Sequence, residues 1–172
     1  MKHFEQKPEQ EFKEEFMKWF GEDKWNQLER ISTLEEVSEC LCSYLGVEEI
    51  PIVCETIKED SRYYPKEQFI IISNKIIMNE VETLKCLIHE IRHHYQYMCV
   101  STNNLSEPML EQWKEEFKTL YQDSSIQLCS MLEIDAYAFT KFIMKEGFNQ
   151  NIVHYDETYE KVINLYMSKY LF

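Results

Sequence analysis

Residues 87–96 read "LIHEIRHHYQ", and within them four versatile side chains, His89, Glu90, His93 and His94, fall close together. The stretch sits inside "EVETLKCLIHEIRHHYQYMCV", residues 80–100, where Val81, Leu84, Ile88, Ile91, Tyr95 and Met98 recur at heptad-like spacing after Asn79, a good N-cap. The pattern predicts a helix of about five turns. At about 100° per residue, His89 and His93 share one face away from the apolar stripe, so a second element is needed to cover them. Two imidazoles one turn apart can aim at a common point and chelate a metal. Glu90, beside the first of them, can reach a metal-bound water without being a ligand, so His89, Glu90 and His93 supply two ligands and a general base. His94 points about 100° away from His93, cannot share the chelate, and is expected to be a partly exposed histidine.

On the N-terminal side of this helix the pattern is different. "IPIVCETI" (50–57), "QFIIIS" (68–73) and "KIIMN" (75–79) are short β-branched runs separated by Pro65 and the turn pair Ser73 and Asn74, and they predict three strands. Two helices precede them. "PEQEFKEEFMKWF" (8–20) lines up Phe12, Phe16, Trp19 and Phe20, and "STLEEVSECLCSYLG" (32–46) has a Ser32 or Thr33 cap and a Gly46 stop. After a polar loop at 101–107, Pro108 opens a helix near Met109 to Tyr121. "SSIQLCSMLEIDAYAFTKFIMKEG" predicts another, capped near Ser124 and stopped at Gly147, and an amphipathic segment from about Asp156 to Leu171 closes the chain. The fold expected is a single α+β domain over 1–172, mostly helical, with a small sheet of about three strands packed on the histidine-bearing helix. Residues 1–48 supply N-terminal helices, 50–146 the sheet and both site helices, and 150–172 a C-terminal helix.

A strand followed by an HExxH helix resembles the zincin metallopeptidases, in which the strand before that helix is an edge that aligns substrate. In this chain the match is "KIIMN" followed by His89, Glu90 and His93. The resemblance implies that a peptide pairs with residues 75–79. A catalytic zinc keeps three protein ligands and an open position, so one ligand is still to be found. The metzincin pattern would need Gly at 96 and His at 99, where this chain has Gln96 and Cys99. The better candidate is "EIDAYAF", 133–139: Glu133 and Ala136 share a helical face, and the small Ala136 allows close approach to the histidines. Asp135 is the alternative ligand, or an acceptor that orients a histidine N–H. HExxH followed some forty residues later by ExxAxxF resembles the ImmA/IrrE family of small gluzincin-like peptidases over about residues 68–145, which puts Glu133 in the third-ligand position. The chain departs from that family's pattern at Arg92 and Gln96, where its active-site helix usually has glycine and small residues.

Composition narrows the other possibilities. The 172 residues are 44% hydrophobic with only three glycines, enough for one packed domain, and the net charge of −13 repels a nucleic-acid backbone. The aromatic stripe at 12–20 has an acidic opposite face, unlike a membrane-surface helix, and no window is long enough to span a bilayer. Without a leader pattern, the six cysteines are expected as reduced core thiols in a cytoplasmic protein; the Cys40/Cys42 pair has the wrong spacing for a zinc site. His154 and the tyrosines at 63, 64 and 137 are candidates for oxyanion stabilisation, though most such residues simply pack. The sequence therefore points to a zinc metallopeptidase with one zinc per chain on His89, His93 and Glu133. Glu90 would act as general base on a zinc-bound water, and the partner would be a peptide or protein substrate. The alternative is a catalytically silent scaffold that binds a protein partner.

Overall fold

Asn79 opens the central helix as its sequence suggests: its side chain accepts the amide of Glu82 at 3.2 Å, and Glu80 and Glu82 occupy the first turn, where the helix end favours carboxylates. The computed structural model describes residues 27–102, 109–120, 130–154 and 156–168. In chain order these form α1 (Gln27–Leu45), β1 (Ile52–Glu55), β2 (Ser61–Tyr64), β3 (Phe69–Ser73), α2 (Glu80–Ser101), α3 (Leu110–Leu120), α4 (Met131–Phe148) and α5 (Glu157–Met167). The fold is α+β and mostly helical, with one small sheet among the described residues. The expected helix at 8–20, with its stripe of Phe12, Phe16, Trp19 and Phe20, lies outside the described residues, as does the Ser124 cap.

The sheet runs β1-β3-β2, with β3 parallel to β1 and antiparallel to β2. Central β3 has Ile70 and Ile72 fully buried and Ile71 nearly so, which explains its unbroken apolar run. "KIIMN" is not a strand. Residues 74–78 are turns: the Ile76 amide donates to Ser73 O and that of Asn79 to Ile76 O, so the chain swings directly into the α2 cap. Only Ile77 of this run is well buried, whereas Met78 is 67% exposed. The third strand is instead β2, "SRYY", joined to β3 by a four-residue turn that closes with the Gln68 amide on Tyr64 O at 2.7 Å.

Helix α2 is the hub, packed against α1, β2, β3, α3 and α4. Its apolar stripe buries Leu84, Leu87, Ile88 and Ile91 in a core shared with Leu34, Leu41, Ile70, Ile72, Phe139 and Phe142. α4 packs against α2, with Ala136 fully buried. α4 starts at Met131, where the Ser130 side chain caps Glu133 N and Glu116 on α3 accepts the amides of Met131 and Leu132 with its two carboxylate oxygens at 3.0 and 2.8 Å. It passes through Gly147 and ends at Asn149, which adopts the left-handed conformation that terminates helices. Asp156 caps α5. Among the described residues no helix is long and apolar enough to cross a membrane, and Cys40, Cys42, Cys54, Cys86 and Cys99 are thiols. Burial pushes Cys42 up to about 11 and Cys86 up to about 12.

Candidate metal centre

The i, i+4 spacing on α2 brings the His89 and His93 rings to a centroid distance of 4.6 Å, with their Nε2 atoms 3.0 Å apart. Glu133, in the first turn of α4, completes the triangle: Oε2 is 3.2 Å from His89 Nε2 and Oε1 is 3.2 Å from His93 Nε2. One ligand atom from each of the three lies within 4.8 Å of the other two, and each side chain is 13% exposed. Donors held around a tetrahedral zinc at 2.0–2.1 Å are separated by about 3.3 Å. The spacings of 3.0 to 3.2 Å therefore suit such an ion. Two imidazole nitrogens and one carboxylate are also the donor set of a catalytic zinc that keeps a fourth position open.

Electrostatics reinforce the cluster. Burial alone would lower the His93 pKa, but the Glu133 carboxylate, with Glu90 and the Gln96 hydrogen bond, raises it to about 9. Burial alone would raise Glu133, yet His93 and His89 hold it well below the usual carboxylate range. In the metal-free protein this ion pair stabilises the fold fully below the ordinary histidine value of 6.5, and the contribution is lost as pH rises through about 9. Metal needs the unprotonated imidazole, so zinc uptake near neutrality must expel the His93 proton. Apparent zinc affinity, measured by chelator competition, is expected to climb about tenfold per pH unit from about pH 7 to 9 and then level off. A flat profile across that interval would contradict this account of His93.

The centre opens into a cleft of about 1050 Å³ whose walls come from β2, α2, α4 and the segment before α5. Glu90 lines the same cleft. It is buried, and both its oxygens are engaged by β2: Ser61 Oγ donates to Oε1 at 2.7 Å and the Tyr63 amide donates to Oε2 at 2.8 Å. The strand that meets the site is therefore β2 and not residues 75–79. The sequence offers no sign of Ser61, and suggests Tyr63 only as a candidate for oxyanion stabilisation through its side chain, because their contacts with Glu90 are set across 27 to 29 residues.

Other candidates resolve differently. Asp135 is not at the ligand cluster. Its carboxylate accepts Arg92 Nε at 2.8 Å and Nη2 at 3.3 Å, and both side chains are 2% exposed. The guanidinium lies 4.3 Å from the Tyr95 ring centroid, 5.0 Å from that of Phe139 and 5.8 Å from that of Trp113. Asp135→Ala would strand this buried cation, so chemical denaturation is expected to show a loss of about 3–5 kcal/mol. A loss under about 1 kcal/mol would mean that the aromatic rings suffice to hold Arg92.

His94 is buried, not partly exposed: Nε2 donates to Glu48 O at 3.0 Å and Nδ1 faces the Tyr63 hydroxyl at 3.3 Å. Burial lowers its pKa. Tyr137 packs on His89 at 4.6 Å and on His154 at 5.1 Å, which places both beside the cleft. Tyr63 serves the sheet and His94, and Tyr64 stacks on Phe69 at 4.7 Å. Cys99 is buried in the core and is no ligand.

No family model matches this chain, and no curated protein and no solved structure is significantly similar to it.

Proposed function

We propose that this protein is a zinc-dependent metallopeptidase of the zincin type, akin to the ImmA/IrrE peptidases, that hydrolyses peptide bonds in a peptide or protein substrate. The observation that carries the reading is the convergence of His89 and His93 from α2 with Glu133 from α4 in one cleft beside Glu90. His89, His93 and Glu133 would hold one zinc per chain. Bound there, it would supply Lewis acidity for a water and for the carbonyl under attack. Glu90 accepts the proton of the attacking water at a carboxylate oxygen and passes it to the departing amine. The Ser61 hydroxyl and the Tyr63 amide hold that carboxylate in place at the cleft wall. β2, at the edge of the sheet, is the strand best placed to align an extended substrate. Free thiols at the described cysteines are in keeping with a reducing compartment, the cytoplasm.

A silent scaffold is the second reading, and one observation favours it: both Glu90 oxygens are already occupied by β2, as a structural carboxylate would be. Zinc content of chelator-treated, zinc-reloaded protein, followed by turnover on a degenerate peptide library, tests both readings. About one zinc per chain with cleavage supports the peptidase. Zinc without cleavage of any library peptide or of a captured binding protein supports the scaffold, and no zinc overturns both.

A further inference from the structure

Gln96 is fully buried one helical turn beyond His93. Its Oε1 meets His93 Nδ1 at 2.8 Å, while Nε2 donates to Leu132 O at 3.0 Å and to Asp135 Oδ2 at 2.8 Å. The orientation of this amide follows from its neighbours. A backbone carbonyl and a carboxylate both accept, so the amide nitrogen has to face them, and the reversed amide would set oxygen against two oxygens in a dry interior. That leaves the amide oxygen for His93, whose Nδ1 must then donate. Asp135 is in turn fixed by Arg92, which has donors only and cannot reverse the direction of the chain.

We propose that the buried series Arg92, Asp135, Gln96 is a positioning device that locks His93 in the tautomer protonated on Nδ1, presenting the Nε2 lone pair to the centre shared with His89 and Glu133. The inference rests on the metal-centre reading above. It also separates the two histidines. Among the described residues His89 Nδ1 is buried with no hydrogen-bond partner, and its ring packs on Tyr137. At Nδ1, His93 is oriented by hydrogen bonds that reach from α2 to α4, whereas on that side the His89 ring is met by packing. Partners of this kind fix both ring orientation and ligand basicity, and their loss typically lowers metal affinity by 10–100-fold.

The test uses the full chain labelled with ¹⁵N-histidine, loaded with zinc, as wild type and as Gln96→Met, a substitution that keeps length and removes the acceptor. The wild type should show a slowly exchanging Nδ1 proton on His93 and zinc on Nε2. Gln96→Met should lose that protected proton and bind zinc about 10–100-fold more weakly. A role in packing alone would leave the tautomer signal untouched. Equal zinc affinity with an unchanged His93 signal overturns the device and leaves the metal centre standing. Failure of wild type to bind zinc overturns both. Should Gln96→Met not fold, the wild-type spectrum decides: zinc on Nδ1, or a proton on Nε2, overturns the proposal.

Discussion

His89→Ala and His93→Ala are each expected to reduce zinc from the proposed one per chain to none after dialysis, with apparent affinity lower by more than about 100-fold. The reason is geometric. The His89 and His93 nitrogens and the Glu133 oxygens stand 3.0 to 3.2 Å apart, and removing either ring leaves one nitrogen and one carboxylate, too few to close a tetrahedral site. His94→Ala is the matched comparison, because it lies next in the chain yet bonds Glu48 O and the Tyr63 hydroxyl instead. Its loss removes both bonds of a buried ring and is expected to cost about 1–3 kcal/mol of stability. Zinc content should stay near one per chain. Stoichiometric zinc in both His89→Ala and His93→Ala, read by elemental analysis on folded protein, would show that the ion binds elsewhere.

Glu90→Gln is expected to lower cleavage of a responsive peptide by 10²- to 10⁴-fold while zinc content is unchanged. The surroundings of Glu90 make this a clean substitution. The Tyr63 amide can only donate, so the Gln oxygen takes that bond, and the new amide group turns to Ser61, whose hydroxyl can rotate to accept it. Both contacts survive, and the stability change should stay under about 1 kcal/mol. What disappears is the capacity to take up a proton. Cleavage at the wild-type rate by Glu90→Gln would remove Glu90 from the mechanism, whereas equal binding of a partner by both forms with no cleavage by either would favour the scaffold.

How far these features could be read from the sequence follows from how local they are. The histidine pair and Glu90 were legible because helical spacing alone puts them together, and Asn79 marked where that helix begins. Glu133 could be reached because the small Ala136 identified the covering face, and the structure brings that carboxylate to both rings. The strands were only partly legible. "KIIMN" has the composition of a strand, but with Asn79 committed to the cap it has no length left to pair. β2 has the composition of a loop, and is held by partners in β3 and α2. His94, Arg92 and Gln96 looked like surface residues or departures from a pattern because their partners lie 31 to 46 residues away. Position 96 shows the point well: where metzincins need glycine to turn the chain, this helix continues and uses the side chain to reach α4.

The double hydrogen bond from Glu116 to the first amides of α4 bears on how the chain can vary. A helix is a screw: advancing it by one residue shifts it 1.5 Å and turns it by 100°. Glu116 indexes that screw from outside, because both of its bonds break if α4 slips a single notch. Glu133 lies one residue past the clamped Leu132 amide, so its bearing on the histidines is set by a short rigid count. One residue added between Leu132 and Glu133 would turn the carboxylate away from both rings.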